Sequence, residues 1–394
     1  MIVANSELDV RLLTFTNLYP NAAQPAHGLF VERRLLRLVS GKGIEAVVVA
    51  PVPRVPGASS AYRHIPRVEQ RDGLEVHHPR FISIAGLGRF IAPFTMLLTS
   101  LRLVRRLRKD DRFNVIDAHY FYPDGVAAAF LARIVGCRLV ITARGTDVNV
   151  LPEYLFSRVL IRWAARVADR VITVSDALRH RLIALGVAKD KIVTLRNGVD
   201  TSVFVTRDRG AARARTRLSD RLVLLSVGNL IESKGHHLVI EALRELPLAQ
   251  LVIAGDGPYR RALQSIADRL SVSDRVRFVG VVDQNELIDY YSAADVLVLA
   301  TLREGMPNVV LEAVSCGLPV VATDCGGIAE VIDRPELGVL MKERSAAAVV
   351  SGIRELLARY PSRIATRAAA EHLGWTCTIE KQSALYRAVV RDAR

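Results

Sequence analysis

Short apolar runs rich in β-branched residues alternate with amphipathic stretches along most of this chain. "VRLLTFT" (10–16) has the length and composition of a buried strand, "FVERRLLRLVSGKG" (30–43) the spacing of a helix, and "IEAVVVAP" (44–51) that of a strand again. Further strands are predicted at 114–119, 138–143 and 170–175. Near-continuous apolar strands separated by helices predict a parallel sheet wound with helices on both faces. The pattern then breaks: after "TLRNGVDTSVF" (194–204) comes the polar, basic "VTRDRGAARARTRLSDR", so a linker is expected near 203–220. A second alternating series follows, "LVLLSVGNL", "AQLVIAGDGP", "VRFVGVV", "DVLVLAT" and "PVVATD". It repeats the architecture and not the sequence. Two α/β units are therefore expected, 1–202 and 203–374, facing a central cleft where strand C-terminal ends meet a ligand.

Composition narrows the class. With 394 residues, half of them hydrophobic, the chain has enough material for two cores. No apolar run reaches the roughly 18 residues that cross a bilayer. The opening "MIVANSELDVRLLTF" has no basic start followed by a long apolar stretch, so no secretory leader is expected. Cys137, Cys316, Cys325 and Cys377 show no C-x-x-C spacing, which suggests neither zinc nor a disulfide framework, and a cytoplasmic location is the simplest reading. Charge changes the picture most. Of 54 basic and 40 acidic side chains, 29 and 16 lie at or before Gly198, a surplus of +13 in the first half. That asymmetry suggests an anionic partner for the first half: nucleic acid, an anionic membrane or a phosphorylated substrate. No helix-turn-helix, zinc or base-stacking module is present, so no nucleic acid is expected.

The candidate chemistry concentrates in "REGMPNVVLEAVSCGLPVVATDCGG" (303–327). A strand at 294–301 runs into the loop "LREGMPN" (302–308) and a helix at 309–317. Glu304 falls on the loop and Glu312 about one turn into the helix. Gly305 and Pro307 shape a turn from which amides between Met306 and Val309 point outward, and with the helix N-terminus these form a phosphate site. Glu312 then lies within reach of a ribose on that phosphate. Taken alone, the same carboxylates also read as a helix cap and a helix surface. "GKGIEA" (41–46) fits a dinucleotide-binding glycine pattern but closes a helix instead of opening one, so it is rejected. There is no phosphate-loop motif and no Asp-x-Asp pair; neither a metal nor a cofactor is expected.

Together with "TNLYP", "HGLFVERR", "DAHYFYPDG", "TARGTDV", "ADRVITVSDALRHRL", "LRNGVD", "SVGNLIESKGHHLVIEAL", "LVIAGDGP" and "VRFVGVV", the Glu304–Glu312 segment closely resembles the retaining glycosyltransferases of family 4. The resemblance runs over roughly residues 8 to 390. It implies the GT-B fold, two Rossmann-like doubly wound domains, with a closing helix (375–394) packed back on the first. It also implies transfer of a sugar from a UDP- or GDP-sugar to a hydroxyl, with retention and without metal. By the same resemblance Glu312 holds ribose hydroxyls and Glu304 contacts the transferred sugar. Gly305, Met306, Pro307, Asn308 and Val309 cradle the distal phosphate, and Lys234 neutralises the diphosphate. Gly280 and Val281 lie along the base. His119 approaches donor and acceptor, and Asp147 faces the same cleft.

Three positions depart from the family pattern. Asn229 stands where an arginine is common, leaving Arg196 or Arg303 to substitute. Arg144 stands where many members have histidine. The early glycine-rich loop is reduced to "AQPAHGLF", with Gly28 its only glycine. An epimerase or phosphorylase of the same fold, or a non-catalytic nucleotide-sugar binder, are the rival readings. A helix is also expected at 92–112, with Phe94, Leu97, Leu98, Leu101 and Leu107 on one stripe and five basic residues at its C-terminal end. It suggests a peripheral enzyme on the inner face of a bacterial membrane, extending a lipid-linked saccharide for cell-surface polysaccharide or lipopolysaccharide.

Overall fold

In a computed structural model, which describes residues 10–392 apart from 26, 42, 55–61, 63 and 85–87, the expected strands fall where the apolar runs place them, and Val68–Arg71, Leu74–His77, Ile192–Thr194 and Gly338–Met341 are strands that the reading did not foresee. The chain divides into two compact units, 1–196 with 377–394, and 197–376. The expected boundaries, 202/203 and 374/375, lie within a few residues of these. The first nine residues, Lys42 of the rejected glycine pattern and Ala26 of the reduced loop lie outside the described residues.

The first unit holds an eight-stranded sheet. In spatial order its strands are Ile192–Thr194, Arg170–Thr173, Arg138–Ala143, Val115–His119, Val10–Phe15, Ile44–Val49, Leu74–His77 and Val68–Arg71. All pairs are parallel except the last, which is antiparallel at the edge. Winding starts at Val10–Phe15 and runs outward; the chain then returns to the other side at Val115–His119, whose register sets Phe15 beside Ala118. The topological switch point lies between these two strands. The closing helix, Thr376–Arg391, belongs to this unit, and its Tyr386 and Val389 are buried in the core with Leu12, Leu35 and Val115.

The second unit is a six-stranded, wholly parallel sheet. Its order is Val276–Gly280, Ala249–Ala254, Leu222–Val227, Val296–Leu299, Val320–Thr323 and Gly338–Met341. Here the switch point lies between Leu222–Val227 and Val296–Leu299. The expected linker is not loose chain. Asp208 caps a helix, Arg209–Thr216, by accepting from the Ala211 amide at 2.7 Å. Arg213 is buried and donates to Asp295 at 2.9 Å and to the Ala293 carbonyl at 3.1 Å, while Arg207 and Arg215 each pair with Asp289 at 2.8 Å. The basic composition that reads as solvated linker neutralises carboxylates of the helix it packs on.

The helix expected at 92–112 spans Gly88–Lys109, and its single apolar stripe needs correction. The buried face is Ala92, Met96, Val104 and Leu107, with Ser100 between them. Phe94 and Leu98 point outward, 37% and 68% exposed. No helix among the described residues is long and apolar enough to cross a membrane.

Candidate functional site

At the second unit's switch point, two loops close over the sheet's C-terminal edge. The first leaves Leu222–Val227 through Gly228 and Asn229 into a single turn, Glu232–Lys234, ahead of the helix His236–Ala242. The second leaves Val296–Leu299 and enters the helix Asn308–Ser315. They are tied by the Leu302 amide donating to the Ser233 carbonyl at 2.7 Å. Arg344 braces both, donating to the Ala300 carbonyl and the Glu232 carbonyl, each at 3.0 Å. Across this junction the Lys234 ammonium pairs with the Glu304 carboxylate, both half-buried. Gly326 holds the second loop from behind. Its φ is +57°, and a Cβ there would lie 2.0 Å from the Glu304 carbonyl oxygen, so only glycine fits.

The Asn308–Ser315 helix starts behind Pro307 with no side-chain cap, which leaves its first amides and positive dipole end directed at the loop. Glu312 sits on the next turn and accepts from the Tyr291 hydroxyl at 2.9 Å, fixing its rotamer. Gly280 closes its strand at φ +77°, followed by Val281, which is 72% exposed. His236, next to Lys234, is a core residue: its Nδ1 lies 2.8 Å from Ser226 Oγ, and burial pushes its pKa down to about 4. A lysine, two glutamates and an uncapped helix start thus share one loop junction. Chemically, such a set can hold an anion against a cation and a helix dipole, with carboxylates that can accept from hydroxyls.

The first unit's switch point is built differently. His119 ends its strand with both ring nitrogens engaged: Nε2 on Asp117 Oδ2 at 2.9 Å, and Nδ1 on Arg144 Nη2 at 2.7 Å. Burial lowers the His119 pKa, the neighbouring Asp117 opposing, so the ring is neutral, donating to Asp117 and accepting from Arg144. Asp117 also takes a hydrogen bond from Tyr386, whose hydroxyl in turn accepts from Gln382 Nε2 at 3.1 Å, and Gln382 Oε1 accepts from Arg34 Nε at 2.7 Å. Burial raises the Asp117 carboxyl, but His119, Tyr386 and Arg144 outweigh it and hold it below the usual range. Asp147 is fully buried, its oxygens accepting from the backbone amides of Phe121, Arg144 and Gly145. Asp124 accepts from the Asn17 amide, and burial pushes its pKa up to about 8.

The structure therefore brings together Lys234, Glu304, Gly305, Met306, Pro307, Asn308, Val309 and Glu312, with Asn229 exposed on the adjoining loop. It gives two expected residues other surroundings. Asp147 does not present its carboxylate outward, because backbone amides saturate it, and His119 is 2% exposed. Gly28 heads the helix Leu29–Val39 at φ +72°, where a Cβ would lie 2.2 Å from the Leu18 carbonyl; close backbone packing requires it. Of the substitutes for the arginine missing at Asn229, Arg196 pairs with Asp176 at 2.8 Å in the first unit, while Arg303 lies on the Glu304 loop. Sequence reasoning missed Arg344, Tyr291 and Asp117. Asp117 was findable, since residues two apart on a strand share a face and His119 follows it by two.

The family model described as Glycosyltransferase Family 4 matches residues 31–203, and that described as Glycosyl transferases group 1 matches 208–372. A GDP-mannose-dependent alpha-(1-6)-phosphatidylinositol monomannoside mannosyltransferase of Mycolicibacterium smegmatis is 31% identical over 68% of this chain and 74% of its own length. The chain belongs to the family 4 glycosyltransferases. A D-inositol 3-phosphate glycosyltransferase of Catenulispora acidiphila is 29% identical over 98% of this chain and 97% of its own. Among solved structures, Anabaena HepE in complex with UDP-glucose superposes with a TM-score of 0.73 at 20% identity, covering 96% of this chain and 98% of that one. This family 4 glycosyltransferase thus has the GT-B fold that the sequence resemblance implied.

Proposed function

We propose that this glycosyltransferase moves a sugar from a nucleoside diphosphate sugar to a saccharide hydroxyl with retention of anomeric configuration and without a metal ion. The observation that carries the reading is the Lys234–Glu304 pair beside the uncapped start of the Asn308–Ser315 helix. A diphosphate bound there gives Lys234 a second anion and accepts from the Met306, Asn308 and Val309 amides. These groups stabilise the charge that grows on the leaving diphosphate as the sugar–oxygen bond breaks. Glu312, oriented by Tyr291, accepts from the ribose hydroxyls. The base runs along Gly280 and Val281. Glu304 turns from Lys234 to a sugar hydroxyl near the anomeric carbon. The leaving phosphate takes the acceptor's proton on the face it departs from, which retains configuration without a covalent enzyme intermediate. The UDP-glucose held by Anabaena HepE supports a nucleotide-sugar donor.

The acceptor reading is a lipid-linked saccharide of cell-surface polysaccharide or lipopolysaccharide synthesis, met by a cytoplasmic enzyme on the inner face of the membrane. Two observations support it: the +13 charge surplus of the first half, and the phosphatidylinositol monomannoside named for the Mycolicibacterium relative. A thermal-shift screen of UDP- and GDP-sugars, followed by product analysis with and without acceptor, tests the transferase reading. We expect stabilisation by one donor, no conversion of donor alone into a second sugar nucleotide, and an α- or β-linkage matching the donor's. Activity is expected to survive EDTA; a requirement for added Mn²⁺ or Mg²⁺ contradicts the metal-free mechanism. Conversion of donor without acceptor identifies an epimerase, and binding without turnover a non-catalytic binder.

A further inference from the structure

Away from both switch points, the first unit carries a cleft of about 830 Å³ beside the Gly88–Lys109 helix. Arg67 and Arg80 approach it from the sheet edge and Arg102 and Arg106 from the helix, with His77 and His78 at its back and no carboxylate among the described residues that line it. The nearest acids are committed. Glu69 binds His78 Nε2 at 2.9 Å, and Glu75 binds His77 Nε2 at 2.6 Å and Arg112 at 3.2 Å. Arg80 is anchored as a wall, donating to the Tyr62 carbonyl at 2.7 Å and to that of Ile65. Arg102 and Arg106 are exposed. Burial lowers the Arg80 pKa and Arg67 lowers it further; burial also lowers that of His77, Glu75 opposing and Arg106 adding to it. An anion in the cleft meets four guanidinium groups, whose planar forks match phosphate oxygens.

The cleft opens onto an apolar stripe. Phe90, Phe94 and Leu98 are 42%, 37% and 68% exposed, and they follow the four-residue spacing that continues into Arg102 and Arg106. Leu98 also lines the cleft. The stripe is widened by the Tyr154–Phe156 segment and Val159: Phe156 meets Phe90 edge-on at 5.2 Å, and Leu155 is 71% exposed. This row winds about 40° around the axis at each four-residue step; along it the helix is apolar up to Leu98 and cationic from Arg102, so the apolar and basic sectors adjoin at the cleft, the layout of a surface lying in a lipid headgroup region. A soluble anion would explain the arginines and leave the stripe unexplained.

We propose that this cleft seats the phosphate of an anionic phospholipid headgroup, with Leu98, Phe94 and Phe90 sunk among the adjoining acyl chains. The proposal rests on the membrane part of the functional reading above and gives it a specific site. It is tested by co-sedimentation of the full chain with phosphatidylglycerol and phosphatidylcholine vesicles, using Arg102→Gln/Arg106→Gln and, as a charge-matched control on the same helix outside the cleft, Arg105→Gln/Lys109→Gln. At about a fivefold effect per basic residue near the surface, the cleft pair is expected to weaken binding to phosphatidylglycerol vesicles about thirtyfold. The control pair, whose charges lie outside the cleft, is expected to weaken it severalfold less. All four side chains are exposed, and unchanged melting temperatures confirm intact folds. Leu98→Ser is expected to weaken vesicle binding while leaving affinity for monomeric dihexanoyl phosphatidylglycerol nearly intact. Equal losses in the two pairs overturn the cleft and leave only diffuse attraction to the membrane. Inorganic phosphate binding as tightly as the short-chain lipid overturns the lipid source. Wild-type chain left in the supernatant by anionic vesicles overturns cleft and membrane reading together, while sugar transfer to a soluble acceptor still decides the transferase reading separately.

Discussion

The two units place a switch point at the same topological position and fill it in opposite ways. In the first, the crevice is occupied by the protein itself: Asp117, His119 and Asp147 are at most 2% exposed and are held by one another, by Arg144 and by backbone amides, with Asp117 Oδ1 left without a hydrogen bond among the described residues. In the second, a lysine and a glutamate remain half-buried and answer each other, beside a helix start with no side-chain cap. A buried network whose members hold one another in place specifies a shape. A half-buried pair that can exchange partners is suited to a ligand. Topology supplies the crevice, and side chains decide whether it is filled from within or left for a guest.

The sharpest way to break this comparison is to remove the exchangeable pair. Lys234→Ala is expected to cost about 2.7–4 kcal/mol of transition-state stabilisation, read as a fall in kcat. Glu304→Ala should also lower kcat, with melting temperature little changed in either variant. Full activity in either one removes the pair from the reaction. In the first unit, substitution should act on the fold instead. Asp147→Ala strands three buried amides, and at about 1–3 kcal/mol for each unsatisfied group a loss of stability on the order of 3 kcal/mol is expected. Nucleoside diphosphate affinity, measured by calorimetry, should stay the same; a selective loss of that affinity would make Asp147 a ligand group. Glu312→Ala is expected to weaken the same nucleotide by about 1.5–3 kcal/mol, the loss of hydrogen bonds to a charged group. Tyr291→Phe should weaken it less, because the hydroxyl only orients the carboxylate.

A pH-dependent effect sharpens the comparison further. Asp124, at about 8, keeps its proton in the folded chain where the unfolded chain, near 3.8, has lost it. More protons are bound folded than unfolded, so the stability from this group is full below about 3.8 and is lost as pH rises toward 8. Asp124→Asn keeps the acceptor for the Asn17 amide and cannot ionise. Its melting temperature relative to wild type should therefore climb between pH 5 and pH 8, by about 2–4 °C for each kcal/mol recovered. A constant difference across that range would mean that Asp124 ionises freely when folded.

The sequence made the sheets legible because parallel strands buried on both faces leave an unambiguous apolar signal. The placement of Glu304 on a loop and Glu312 in a helix was legible because a loop with glycine and proline followed by a helix start carries its own geometry, while their roles came from the resemblance alone. Arg213 was misread because polar composition looks the same whether its charges meet water or, as here, Asp295. Leu98 was misread because helical spacing finds a stripe but does not say which stripe faces the core. Arg344 and Tyr291 gave no local signal, since their partners lie 44 and 21 positions away and only folding brings them near.

The closing helix has a consequence for how this protein is made. Tyr386 and Val389 complete a core whose other members, such as Leu12 and Val115, leave the ribosome early. Residues 197–376 form a unit of their own and can fold while the rest is still being synthesised. The first unit, begun earlier, must hold an unfinished core, with Asp117 lacking its tyrosine, until translation reaches the last helix. At about 5–20 residues per second, the intervening segment imposes a wait of roughly 10–40 s. The half of the chain that is made first is therefore the half that finishes last, and a premature stop even a few codons before Tyr386 would release a second unit fully formed beside a first unit that never closes.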